Sequence, residues 1–105
     1  MSQTDDGFLV RRLGERRVGL EGELSFANAG SALRKTLAVL GKFEDDLVID
    51  LAGVQRADSA GVALLIELVR AAGKRGIGLH FTNIPRQVQA LAAVSGVNGL
   101  LPQVA

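Results

Sequence analysis

Leu47-Val48-Ile49-Asp50-Leu51-Ala52-Gly53-Val54 and, two residues later, Ala57-Asp58-Ser59-Ala60-Gly61-Val62-Ala63-Leu64-Leu65 decide the reading of this chain. The first run is nearly all apolar and rich in β-branched residues, which predicts a strand over Leu47–Leu51 covered on both faces, as in a parallel sheet. A loop through Gly53 then leads to Asp58 and Ser59. Both residue types suit a helix N-terminus, because their side-chain oxygens accept hydrogen bonds from backbone N–H groups that lack an intrahelical partner. The helix is expected from about Ala60 to Ala72, with Gly73 as its stop. A strand that runs directly into a helix needs a crossover to reach the next parallel strand.

The flanks extend this pattern. Downstream, Ile77, Leu79 and Phe81 alternate as a strand. Asn83 and Pro85 then mark a helix start, with Val88, Leu91, Ala92 and Val94 as its buried side and Gly96 as its end. Leu100-Leu101-Pro102 is apolar enough to pack back or form a last short strand. Upstream, Phe8–Leu13 and Arg16–Leu20 read as a hairpin turning at Gly14-Glu15, with Gly14 supplying a positive φ. Ser25 or Asn28 caps a helix carrying Leu33, Leu37 and Leu40, and Gly41 closes it. The expected order is β-β-α-β-α-β-α: an α/β fold with a mixed, mostly parallel sheet and helices packed on it. The chain reads as one domain over residues 1–105, with residues 1–6 as a disordered tail.

Composition removes several function classes. Twelve Lys and Arg against eleven Asp and Glu leave a net charge of +1, which gives no electrostatic case for nucleic acid or an anionic membrane surface. Arg11, Arg12, Arg16 and Arg17 cluster, but acidic neighbours flank them, as on a solvated hairpin. Without cysteine there is no thiolate chemistry and no zinc–thiolate site. The polar start of the chain has no signal-peptide pattern, and no apolar run approaches the ~20 residues that cross a bilayer. The expectation is a cytoplasmic protein without direct membrane insertion.

Enzyme chemistry finds little support. His80 is the single histidine and sits in an expected strand. Gly73-Lys74 lacks the earlier glycine and the following Ser or Thr of a phosphate loop. Asp50 and Asp58 could be imagined as paired carboxylates, but the first suits a strand end and the second a helix cap. No residues assemble a nucleophile, a base and an orienting group, and no metal or other cofactor is expected. The second helix is more informative. At ~100° per residue, Ala63, Glu67, Arg70 and Lys74 form a narrow polar stripe, and the remaining apolar arc spans roughly 220°. One sheet does not readily cover that much. Either a neighbouring helix buries the surplus or a border is left for a partner, and Ser59, Ala63, Ile66 and Arg70 line that border.

Val48 through Val54 and Ala57 through Leu65 resemble the STAS family, in which strand, loop and an Asp-Ser-x-Gly helix start occur together. The likeness runs over nearly the whole chain. Within the family the sequence looks like the MlaB type, the STAS subunits of phospholipid-transport ABC complexes of Gram-negative inner membranes. That resemblance implies a non-catalytic regulatory or assembly subunit, peripheral to the inner membrane, that binds an MlaF-like ATPase of a system maintaining outer-membrane lipid asymmetry. It makes Asp58, Ser59, Ala60, Gly61, Val62, Ala63, Ile66 and Arg70 the expected partner-binding residues. The family's anti-sigma-factor antagonists imply an alternative. They are phosphorylated by an anti-sigma kinase on a serine just before the glycine. That position here is Ala60, and Ser59 keeps a hydroxyl one residue earlier as a possible phosphorylation site.

Overall fold

The computed structural model describes residues 7–104, so the expected tail over residues 1–6 lies outside the described residues. The elements follow as β1 (Phe8–Gly14), β2 (Arg17–Leu24), α1 (Ala29–Leu40), β3 (Leu47–Ala57), α2 (Ser59–Lys74), β4 (Leu79–Thr82), α3 (Arg86–Val94) and a 3-10 turn at Asn98–Leu100. They form a four-stranded sheet in the order β1-β2-β3-β4. The β1–β2 pair is antiparallel, while β2–β3 and β3–β4 are parallel. The expected fold class and element order hold.

Strand alternation fixes where the core lies. Leu47, Ile49 and Leu51 on β3 are buried, and their neighbours in register, Val18 on β2 and Leu79 and Phe81 on β4, are buried with them. The helices supply Ala32 and Leu40 from α1, Leu65 and Leu68 from α2, and Val88 and Ala92 from α3 to the same cluster. Since α2 contacts both α1 and α3, the helices form one layer on one face of the sheet. This corrects the expectation of a strand covered on both faces. Opposite the helices, Val48 is half-buried and His80 exposed. There Arg11 pairs with Glu21 and Arg17 with Asp50, each at 3.0 Å.

Several boundaries also shift. The β3 strand runs on to Ala57, so Gly53 lies within it and Asp50 in its interior. Asp50 is an internal tie: it accepts from Arg17 Nη2, from Asn83 Nδ2 and from the Ala52 N–H. Burial alone would raise its carboxyl pKa. The bonds from Asn83, Ala52 and Arg17, with Arg17's charge, outweigh that and hold it below the ordinary carboxylate value. The hairpin turns at Glu15-Arg16, and Gly14 is not among the positive-φ glycines. At the other end of the hairpin, Gly22 has a positive φ (107°), and a Cβ there would collide with the Gly7 carbonyl. On α1 the buried positions are Ala32, Thr36 and Leu40, one step round from the expected stripe, leaving Leu33 and Leu37 half-buried. Val94 was expected inside and is 88% exposed. Past α3, the buried Leu101 anchors the chain end, and Gln103 makes a parallel bridge to Phe81 on the outer side of β4.

Candidate functional site

The site begins where β3 becomes α2. Asp58 is the N-cap of α2, and its Oδ1 accepts the Ala60 N–H at 2.8 Å, as its sequence position implied. Its own N–H donates to the Leu24 carbonyl at 3.0 Å, which ties the end of β3 to the end of β2. Gly61 makes the close approach possible. A Cβ there would lie 3.0 Å from the Leu24 Cβ and 3.1 Å from the Leu24 carbonyl oxygen, tighter than atoms normally pack.

From that start α2 displays the expected partner residues unequally. Ser59, Ala63 and Arg70 are exposed, and Ile66, between them on the same face of the helix, is half-buried against the core. Ala60, Gly61 and Val62 are buried. These three seat the first turn of the helix on the sheet. The apolar arc is buried over most of its width and only partly covered at its borders. Leu64, Leu65, Leu68 and Ala72 are sealed inside, whereas Ile66, Val69 and Ala71 stay half-buried at the borders. Along the stripe Arg70 reaches Glu67 at 3.4 Å, an exposed contact worth little.

Beside Ser59 lies a feature that the sequence reading missed. Phe26, in the loop between β2 and α1, is 77% exposed. Next to it a cleft of about 410 Å³ opens between the starts of α1 and α2, lined by Phe26, Ala29, Gly30, Leu33, Ala60, Ala63, Leu64 and Glu67. The signal was present as a large aromatic between two candidate caps, Ser25 and Asn28. Asn28 does take the N-cap position of α1, but its side chain turns back to the Ser25 N–H and the Glu23 carbonyl.

The geometry offers little to an enzyme. Asp50 and Asp58 are eight residues apart on an extended strand, roughly 26 Å, too far to act on one bond. His80 lies on the sheet face away from the Ser59 end. Among the described residues no group of three His, Cys, Asp or Glu could hold a metal ion, and no helix is long and apolar enough to cross a membrane. Each arginine of the N-terminal cluster has a partner. Arg11 meets Glu21, Arg16 meets Asp45 and Arg17 meets Asp50, while Arg12 stacks 4.6 Å over Phe43.

Comparison with known proteins shows the family and the fold. The family model described as "Mlab, STAS domain" matches residues 8–102. No curated sequence matches the chain. Among solved structures, the fold is similar to SLC26A9 at 24% identity and a TM-score of 0.69, over 84% of this chain. The chain spans 18% of the length of that protein. It is similar to the anti-sigma factor antagonist SpoIIAA in its unphosphorylated form at 16% identity and a TM-score of 0.67, covering 93% of this chain and 88% of that one. An anti-sigma factor antagonist from Mycobacterium paratuberculosis is similar at 22% identity and a TM-score of 0.71, covering 91% and 82%.

Proposed function

The chain belongs to the Mlab, STAS domain family, and from that premise we propose that it is a non-catalytic subunit of a phospholipid-transport ABC complex in a Gram-negative inner membrane. In this reading it docks on the ATPase subunit through Ser59 and the stripe that follows, working from the cytoplasmic side and held at the membrane only by its partner. STAS domains mediate protein–protein contacts, and the family is generally non-catalytic. The observation that carries the reading is the exposure of Ser59, Ala63 and Arg70, with half-buried Ile66 among them, along one face of a helix whose opposite face is sunk in the core. The mechanism is binding alone: the domain shifts the ATPase only by the difference in its affinity for that protein's conformations.

Ser59→Glu and Arg70→Glu test the surface, since each alters charge at an exposed position without touching the core. Both variants are expected to stay folded and to recover at least tenfold less ATPase on co-purification. Recovery equal to wild type in both would remove this stripe from the interface.

A second reading, an anti-sigma-factor antagonist in a kinase pathway, is favoured by the exposure of Ser59 at the helix start and opposed by the alanine at position 60. Intact mass after incubation with a cognate kinase separates the two. A phosphate adduct on Ser59 supports the second reading, and an unmodified protein that still binds an ABC ATPase supports the first.

A further inference from the structure

A solvent-facing phenylalanine contributes nothing to the core, whereas covering such a ring would contribute about 1.5–3 kcal/mol. Phe26 nevertheless sits on a loop whose polar groups are tied down. The Asn28 side chain accepts from the Ser25 N–H at 2.9 Å and donates to the Glu23 carbonyl at 2.7 Å, and the Asn28 N–H donates to the Ser25 carbonyl at 3.1 Å. A further tie comes from another element altogether: the Phe26 N–H donates to Asp58 Oδ2 at 3.2 Å.

We propose that Asp58 is the positioning residue of the docking surface, holding Phe26 and the start of α2 in fixed relation so that a partner meets them as one preformed unit. This rests on the reading that the Ser59 end is where the ATPase subunit binds. The carboxylate divides its work: Oδ1 caps α2 through the Ala60 N–H, and Oδ2 holds the loop through the Phe26 N–H. A single hydroxyl would perform the first task. The two donors are met by two different oxygens, so the carboxylate, which is an acceptor at both positions, performs both. A ring whose backbone is already fixed loses little further freedom when a partner covers it. The cleft beside it, floored by Ala29, Gly30, Ala60 and Ala63, has room for an apolar side chain of that partner.

Asp58→Ser and Asp58→Asn separate the two tasks. Serine and asparagine cap helices about as well as aspartate, but the serine hydroxyl is one acceptor and the asparagine amide nitrogen would face the Phe26 N–H donor to donor. Both variants are expected to melt within a few degrees of wild type. The Phe26 amide should exchange with solvent about tenfold faster, the Ala60 amide should change little, and ATPase binding should weaken about five- to tenfold. Phe26 exchange at the wild-type rate in both variants would overturn the proposal, as would full binding by a variant whose loop has loosened. A wild-type protein that fails to bind the ATPase overturns the partner assignment alone, because the Phe26 exchange rate still reports whether Asp58 holds the loop.

Discussion

The seam between α1 and α2 is built in opposite ways at its two ends. At the end of α2, Arg75 crosses to α1 and donates to the Leu40 carbonyl at 2.8 Å and the Phe43 carbonyl at 2.7 Å. These carbonyls lie at or just past the last turn of α1, which has no basic residue of its own there. The guanidinium supplies both a donor and the favourable charge. Only about 60 Å³ remains open beside it, against about 410 Å³ at the start of α2. There the lining combines the small residues Ala29, Gly30, Ala60 and Ala63 with Phe26, Leu33, Leu64 and Glu67. One end is closed by a charged side chain reaching over, and the other is left open beside an exposed ring. The open end is the one that carries Ser59 and Phe26, so the proposed docking surface falls where the two helices are least closely packed.

Three measurements break or sharpen that contrast. Arg75→Ala removes donors from two carbonyls at the closed end. It should cost about 2 kcal/mol in denaturant unfolding, with ATPase binding by the folded fraction unchanged. An unchanged unfolding midpoint would mean that the closed end is not held by this side chain. Phe26→Ala at the open end should do the reverse, moving stability by less than about 0.5 kcal/mol while weakening the complex about tenfold, or ~1.4 kcal/mol. A loss of stability larger than its loss of binding would make Phe26 a core residue and erase the difference between the ends.

Asp50 belongs to neither end and serves as the reference. Its carboxyl titrates below the ordinary value, so its contribution is fully present above that value and is lost as pH falls through the lowered one. Wild-type stability should therefore decline below about pH 4, and Asp50→Asn should flatten that part of the profile by under about 1 kcal/mol without altering binding. An acid limb equally steep in the variant would show that other carboxylates govern it.

Much of the fold could be read from local chemistry. Asp58 was legible as a cap because capping needs only an oxygen and the amides next to it, and Gly96 ends α3 with a positive φ as expected. Gly14 was misread because a hairpin can turn one residue later. The sheet's single helical layer was hidden because Val48, between Leu47 and Ile49, makes a one-sided strand look two-sided. Val94 was recoverable: six residues beyond Val88 it is rotated about 240° from the buried side, and nothing packs against it there. The stripe on α2 followed from helical period alone. Phe26 did not, because its setting depends on a carboxylate 32 residues away, and no local pattern encodes that bond.

The bridge between Gln103 and Phe81 has a consequence for self-association. It occupies the outer side of β4, with Leu101 anchoring the segment behind it, so among the described residues β1 is the sheet's remaining edge. Folded chains joined edge to edge through β1 would close as pairs, since each pairing uses up the one open strand. Growth into fibrils by adding native sheets would need a second acceptor edge, and the C-terminal segment withholds it.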